Sequence, residues 1–152
     1  MNHDRYIDLQ VTNDYLEYEF MSIGPKGAIS KVIQFTPTRD ETIFNLALGN
    51  KKKDGGIDDM ARDDNKDRDK ILATVVSVLR IFFAAYPEKW IFFTGSSPER
   101  TRLYRMAITL NYETLSTDFE IVGLLRDMDA FLDVPFERGI DYFGFLVRLK
   151  NV

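Results

Sequence analysis

Ser96, Ser97, Arg100, Arg102 and Tyr104 fall within nine residues of the stretch WIFFTGSSPERTRLYRMAITLNY, residues 90–112. No other part of the chain sets a glycine turn, hydroxyls and several cations so close together. Ser97 is a good helix N-cap and Pro98 suits the first helical position. The N–H groups left open at such a helix start, beside serine hydroxyls, make a ready anion site. Guanidinium groups add planar, bidentate donors for carboxylate or phosphate. The chemistry this set supports is binding of a small anionic ligand or a protein partner. The competing reading is a well-capped helix whose arginines pair with Glu99, Glu113 or an acidic loop. Two catalytic motifs are excluded here. Gly95-Ser96-Ser97-Pro98 lacks the second glycine of a nucleophile elbow, and the G-K-[ST] end of a phosphate-binding P-loop is absent.

Other chemistries have less support. The chain has no cysteine, which excludes disulfides, thiolate metal sites and cysteine nucleophiles. Its single histidine, His3, lies in a polar terminus, a poor place for a general base. Asp63, Asn65, Asp67 and Asp69 imitate the start of a calcium loop. Arg68 stands where that loop needs glycine, however, and Thr74 where it needs glutamate. A solvated, helix-capping acidic segment is expected instead, with no metal site and no cofactor. Tyr18, Tyr104, Tyr112 and Tyr142 could act as acids or stacking platforms, but such tyrosines commonly sit at the edge of a core. The chain carries twelve Phe, seven Tyr and one Trp. They lack flanking Lys and Arg, so they read as core rather than as an RNA-stacking face. No catalytic residue is assigned.

The elements that must position the stretch follow from periodicity. Residues 15–23 alternate, with Leu16, Tyr18 and Phe20 on one face, as in a half-buried strand. Gly24-Pro25-Lys26-Gly27 is a turn and residues 28–36 the return strand, giving a β-hairpin over 15–36. Residues 42–48 form a third strand. Residues 49–69 are a long acidic loop, with Ile57 and Met60 placed to pin it. A helix starts near Asp67 or Asp69 and presents Ile71, Leu72, Val75, Val76, Leu79, Phe82 and Phe83 at helical spacing; Pro87 ends it. Residues 90–94 are a short continuous apolar run, an interior strand. The second helix spans 98–110, with Leu103, Met106, Ala107 and Leu110 as its core face and Arg102, Arg105 and Thr109 outside. Residues 119–125 and 142–149 are two last strands. The fold class expected is α+β: one domain over 1–152, with a mixed, mostly antiparallel sheet of about six strands and two helices. The order is β-β-β-α-β-α-β-β.

At 152 residues the chain suits one domain with a sizeable core. Net charge is −4. Residues 54–69 hold seven aspartates against Arg62, Lys66 and Arg68, so that segment accounts for all of it. The broad positive field that nucleic-acid binding needs is missing. The N-terminus has no apolar signal region. The longest apolar stretch, 71–86, falls short of the roughly 20 residues that span a bilayer. A cytoplasmic setting with no membrane or nucleic-acid partner is expected.

Three segments, YEFMSIGPKGAISKVIQF, DRDKILATVVSVL and FFTGSSPERTRLYRMAI, carry a resemblance to a family of uncharacterised bacterial proteins of about this size. Its pattern includes a G-S-[ST]-x-x-R-T-R-L-Y-R-M strand-turn-helix. The resemblance covers nearly the whole chain and implies no activity. The element order also resembles the core of the GNAT acetyltransferase superfamily, which would imply coenzyme A as acyl donor. Leu103-Tyr104-Arg105-Met106-Ala107-Ile108 is similar to the superfamily's L-Y-x-x-x-G-F, whose tyrosine can act as general acid. It is one residue short and has Ala107 in place of glycine. Where that superfamily has a glycine-rich pyrophosphate turn, this chain has residues 63–69, whose aspartates repel a phosphate by about 1 kcal/mol per close exposed pair. The reading is a non-enzymatic binding or interaction module, with a GNAT-like acyltransferase as the alternative.

Overall fold

The computed structural model describes residues 4–58, 65–127 and 130–150, with the side chains of residues 127 and 130–132 outside that description. His3, Met60, Asp63 and Asp64 lie outside the described residues. The elements are β1 (Gln10–Val11), β2 (Glu17–Gly24), β3 (Gly27–Pro37), β4 (Ile43–Lys51), β5 (Ile57–Asp58), α1 (Arg68–Ala85), β6 (Trp90–Phe93), α2 (Pro98–Leu110), α3 (Tyr112–Asp118), β7 (Phe119–Asp127), β8 (Ala130–Pro135) and β9 (Gly144–Leu149). The expectation of six strands and two helices is therefore corrected: the described residues form nine strands and three helices. The additions are β1, β5, β8 and α3. β1 and β5 have two residues each, too few for their side chains to register as a pattern. Contacts group the chain into two compact units, Met1–Thr36 with Leu46–Tyr86, and Pro37–Asn45 with Pro87–Val152.

In the first unit the strand order is β1-β2-β3-β4, with β5 against β4. The β2–β3 hairpin closes at Gly24↔Gly27, and Gly27 takes φ 90°, a conformation glycine adopts without strain. Alternation places Tyr18, Phe20 and Ser22 inside and leaves Met21 and Ile23 exposed. The start of the expected acidic loop is a second hairpin. β4 runs on to Lys51, and β5 returns antiparallel with Asn50↔Asp58 and Lys51↔Ile57. Helix α1 buries Ala73, Thr74, Val78, Leu79, Phe82 and Phe83, whereas Ile71, Leu72, Val75 and Val76 are only half-buried. Its core face is thus centred on Thr74, Val78 and Phe82. Phe82 stacks on Phe35 at 4.3 Å and on Tyr86 at 5.0 Å.

In the second unit the order is β4-β6-β9-β7-β8. The start of β4 pairs parallel with β6 through Ile43↔Trp90 and Asn45↔Phe92. A parallel pair needs a crossover connection, which the chain supplies through α1. The pairs β6–β9, β9–β7 and β7–β8 are antiparallel, with β9 between β6 and β7. Ile91, Phe119, Ile121, Phe145 and Val147 are buried along these strands. β6 is a strand with neighbours on both sides, as its continuous apolar run implies.

Candidate functional site

The strand β6 leads into Thr94-Gly95-Ser96-Ser97, and α2 begins at Pro98. Ser97 is extended (φ −146°, ψ 161°) and its Oγ accepts from the N–H of Arg100 at 3.3 Å. Pro98 follows at the first helical position, where its missing N–H costs nothing. A second lock sits beside this cap. Thr101, buried, accepts from the N–H of Gly95 at 3.0 Å and donates to the carbonyl of Ser97 at 3.2 Å. Thr94 donates to the carbonyl of Phe143 at 2.7 Å. The turn is pressed so closely on the helix that a Cβ at Gly95 would lie 2.3 Å from the Thr101 nitrogen. Only glycine fits that approach.

This lock sets the rotation of α2. With Thr101 held inside, Ile108 is buried and Tyr104 sits edge-on to Phe93 at 5.8 Å. Leu103, Met106 and Leu110, the expected core face, are instead 37%, 46% and 81% exposed. The expectation that Leu103, Met106, Ala107 and Leu110 pack inward is corrected: Ala107 is half-buried and the other three face solvent. Arg105, expected on the outer face, is half-buried, donating to the Ile140 carbonyl at 3.1 Å and lying 3.4 Å from Asp141. It braces the segment before β9.

The structure therefore gathers Ser96, Ser97 and Arg100 at the turn, with Tyr104 one helical turn further along the Arg100 stripe. Arg102 is exposed and lies about 200° round the helix from Arg100. Because helical Cα–Cβ bonds tilt toward the N-terminus, both arginines lean toward the helix start from opposite flanks. The N–H groups of Gly95 and Arg100 and the Ser97 hydroxyl are engaged within the turn.

A polar cluster that sequence reasoning missed lies in the first unit. Asp67, just before α1, makes no side-chain bond to the helix it precedes. Its carboxylate instead accepts from the hydroxyls of Ser22 and Tyr6. Asn65, 2% exposed, donates to Ser22 Oγ at 3.0 Å and to the Gly27 carbonyl at 3.0 Å, and accepts from the Lys26 N–H at 2.8 Å. Tyr6 completes the set. Its oxygen accepts from the N–H of Ile23 at 2.9 Å, and its own N–H donates to Thr74 Oγ1 at 2.9 Å. Burial, reinforced by the bond to Asp67, raises the Tyr6 pKa. One signal was available in the sequence: Ser22 continues the inward alternation of Tyr18 and Phe20, and a buried hydroxyl requires a partner. The acidic run that imitates a calcium loop thus supplies two structural anchors. Among the described residues, no three His, Cys, Asp or Glu side chains come together as a metal site.

Two further features belong to the first unit. The 5–9 segment and residues 73–81 of α1 enclose a groove of about 500 Å³. Tyr18, fully buried, has a hydroxyl with no hydrogen-bond partner among the described residues. No helix among the described residues is long and apolar enough to cross a membrane.

A family model described as "Family of unknown function (DUF6934)" matches residues 2–150. No curated protein and no solved structure matches the chain.

Proposed function

Since the chain belongs to this family of unknown function, whose description names no activity, we propose from the site alone that it is a non-enzymatic binding domain for a small anionic ligand. The ligand would sit at the start of α2, held by Arg100 and Arg102, with Ser96, Ser97 and Tyr104 beside it. The observation that carries the reading is the double lock of the turn. Ser97 caps the helix and Thr101 clamps Gly95, so the backbone from which Arg100 and Arg102 project is rigid. Preorganisation of this kind lowers the ordering cost of binding. The positive end of the α2 dipole adds to the attraction for an anion. Replacing both arginines with alanine tests this. Affinity for inorganic pyrophosphate should fall about tenfold or more while the melting temperature holds. Unchanged affinity, or loss of the fold, would return the arginines to a purely structural role.

A second reading, a GNAT-like acyltransferase, is favoured by one observation. β4 and β6 are parallel, α1 lies between them in sequence, and α2 with Tyr104 follows. Opposing it, the position before α1 carries the carboxylate of Asp67, bound to Ser22 and Tyr6, where a pyrophosphate would need N–H donors. Calorimetric titration with acetyl-coenzyme A separates the readings. A saturable heat that survives alanine at Arg100 and Arg102 would favour the acyltransferase.

A further inference from the structure

We propose that the outward face of α2 is an interface on which a second copy of this chain docks, the two helices lying antiparallel. α2 carries two stripes at helical spacing. The inward stripe is Thr101, Tyr104, Arg105 and Ile108. Thr101 and Ile108 are buried, Tyr104 meets Phe93, and Arg105 braces the Ile140 carbonyl. Leu103, Met106 and Leu110 form the other stripe, on the opposite side of the helix. These three are 37%, 46% and 81% exposed. They are the residues that the sequence favours as a core face, spaced three and four apart like the seam of a coiled coil. A single exposed leucine is ordinary, but a run of large apolar side chains along one helix face marks a contact surface.

The face is complementary to itself. Leu103 and Leu110 stand symmetrically about the midpoint between Met106 and Ala107. Antiparallel pairing therefore sets Leu103 of each copy on Leu110 of the other, with the methionines crossing at the centre. Methionine adapts readily to such a contact. Charge selects the direction. Arg102 flanks the stripe at its start, and Glu113 follows Leu110 by three residues on the same flank; both are exposed. The N–H of Asn111 still bonds back to the α2 carbonyls of Ala107 and Ile108, so Glu113 stays close to the end of the helix. In the antiparallel pair Arg102 of each copy comes level with Glu113 of the other to within about two residues, roughly 3 Å along the axis. Opposite charges then meet twice, and the two helix dipoles oppose one another. A parallel pair would set Arg102 on Arg102 and Glu113 on Glu113, which like-charge repulsion disfavours. The face is about 20 Å long and about 10 Å wide, small against the roughly 800 Å² per partner of a tight complex. The dimer is therefore weak and exchanges with monomer.

The test is sedimentation equilibrium of the full chain from about 10 μM to about 1 mM, in buffer free of phosphate and pyrophosphate. The weight-average mass should rise with concentration from 17.6 kDa towards twice that value. Leu110→Asp should hold the chain at the monomer mass with its melting temperature unchanged. Arg102→Glu and Glu113→Arg, each made alone, should weaken association about tenfold, because symmetry breaks two contacts at once. The double variant Arg102→Glu/Glu113→Arg should recover it. No rise in mass up to about 1 mM, undiminished association in Leu110→Asp, or no recovery in the double variant would overturn the proposal. Because no anion is present, such a failure leaves the ligand proposed for the start of α2 to its own titration.

Discussion

Replacing Gly95 with alanine probes the element on which the α2 site depends. The new Cβ would lie 2.3 Å from the Thr101 nitrogen and 2.6 Å from both the carbonyl carbon and the Cβ of Arg100, where ordinary contact begins at 3.4 Å. The obstacles are mostly backbone, so the turn must lift from the helix by roughly 1 Å. That shift stretches the Gly95 N–H bond to Thr101 beyond useful length, and Thr101 is buried. Overpacking costs about 1–3 kcal/mol and the lost bond about 1 kcal/mol, so a destabilisation of about 2–4 kcal/mol is expected. Urea unfolding followed by far-ultraviolet circular dichroism measures it. Gly56→Ala is the control, because its nearest neighbours are side-chain atoms of Asp54 and Lys52 at 3.2 and 3.6 Å. The alanine variants at 95 and 56 should differ by at least about 2 kcal/mol. Equal stabilities would mean that the turn is not pressed on α2, and the account of the α2 rotation would fall with it.

Three further outcomes follow, two from the first unit and one from α2. Tyr18→Phe removes a buried hydroxyl that has no partner among the described residues, so stability should hold or rise by up to about 1 kcal/mol; a loss on urea unfolding would reveal a partner. Ile108→Ala should cost about 2–4 kcal/mol, because the site is buried, and Leu110→Ala less than about 0.5 kcal/mol; the opposite ranking would restore the expected core face. The raised pKa of Tyr6 gives a sign at high pH. Below its ordinary value of 10.0 both folded and unfolded chains keep the proton, and stability is unaffected. Above that value the unfolded chain ionises first, so stability falls as pH rises through the folded pKa. Tyr6→Phe should flatten this alkaline decline above pH 10.0, and an unchanged decline in urea midpoint would refute the assignment.

The parts of this architecture that the sequence makes legible are those fixed by local chemistry. Alternation at Tyr18 and Phe20 and the Gly24–Gly27 turn announce the first hairpin. Ser97-Pro98 marks the start of α2 at the residue where the helix begins. The apolar run of β6 foretells a strand paired on both sides. The face of α2 was not legible, because its hydrophobic pattern favours Leu103, Met106 and Leu110. The clamp between Gly95 and Thr101 overrides that pattern, and a close backbone approach leaves no period in a sequence. The cluster of Tyr6, Ser22, Asn65 and Asp67 was hidden for a different reason. Its members come from three separated segments, and each looks unremarkable alone. The two-residue strands β1 and β5 are too short to carry any pattern, and they form because longer neighbours offer an edge.

Titrating the chain with inorganic pyrophosphate and following its backbone amides by NMR probes the proposed anion site at the start of α2. Saturable shifts should centre on residues 95–102, weaken as salt is raised, and disappear in the Arg100→Ala/Arg102→Ala variant while its spectrum remains folded. Pyrophosphate that shifts no amide in that segment, or shifts it equally with both arginines removed, would contradict the account.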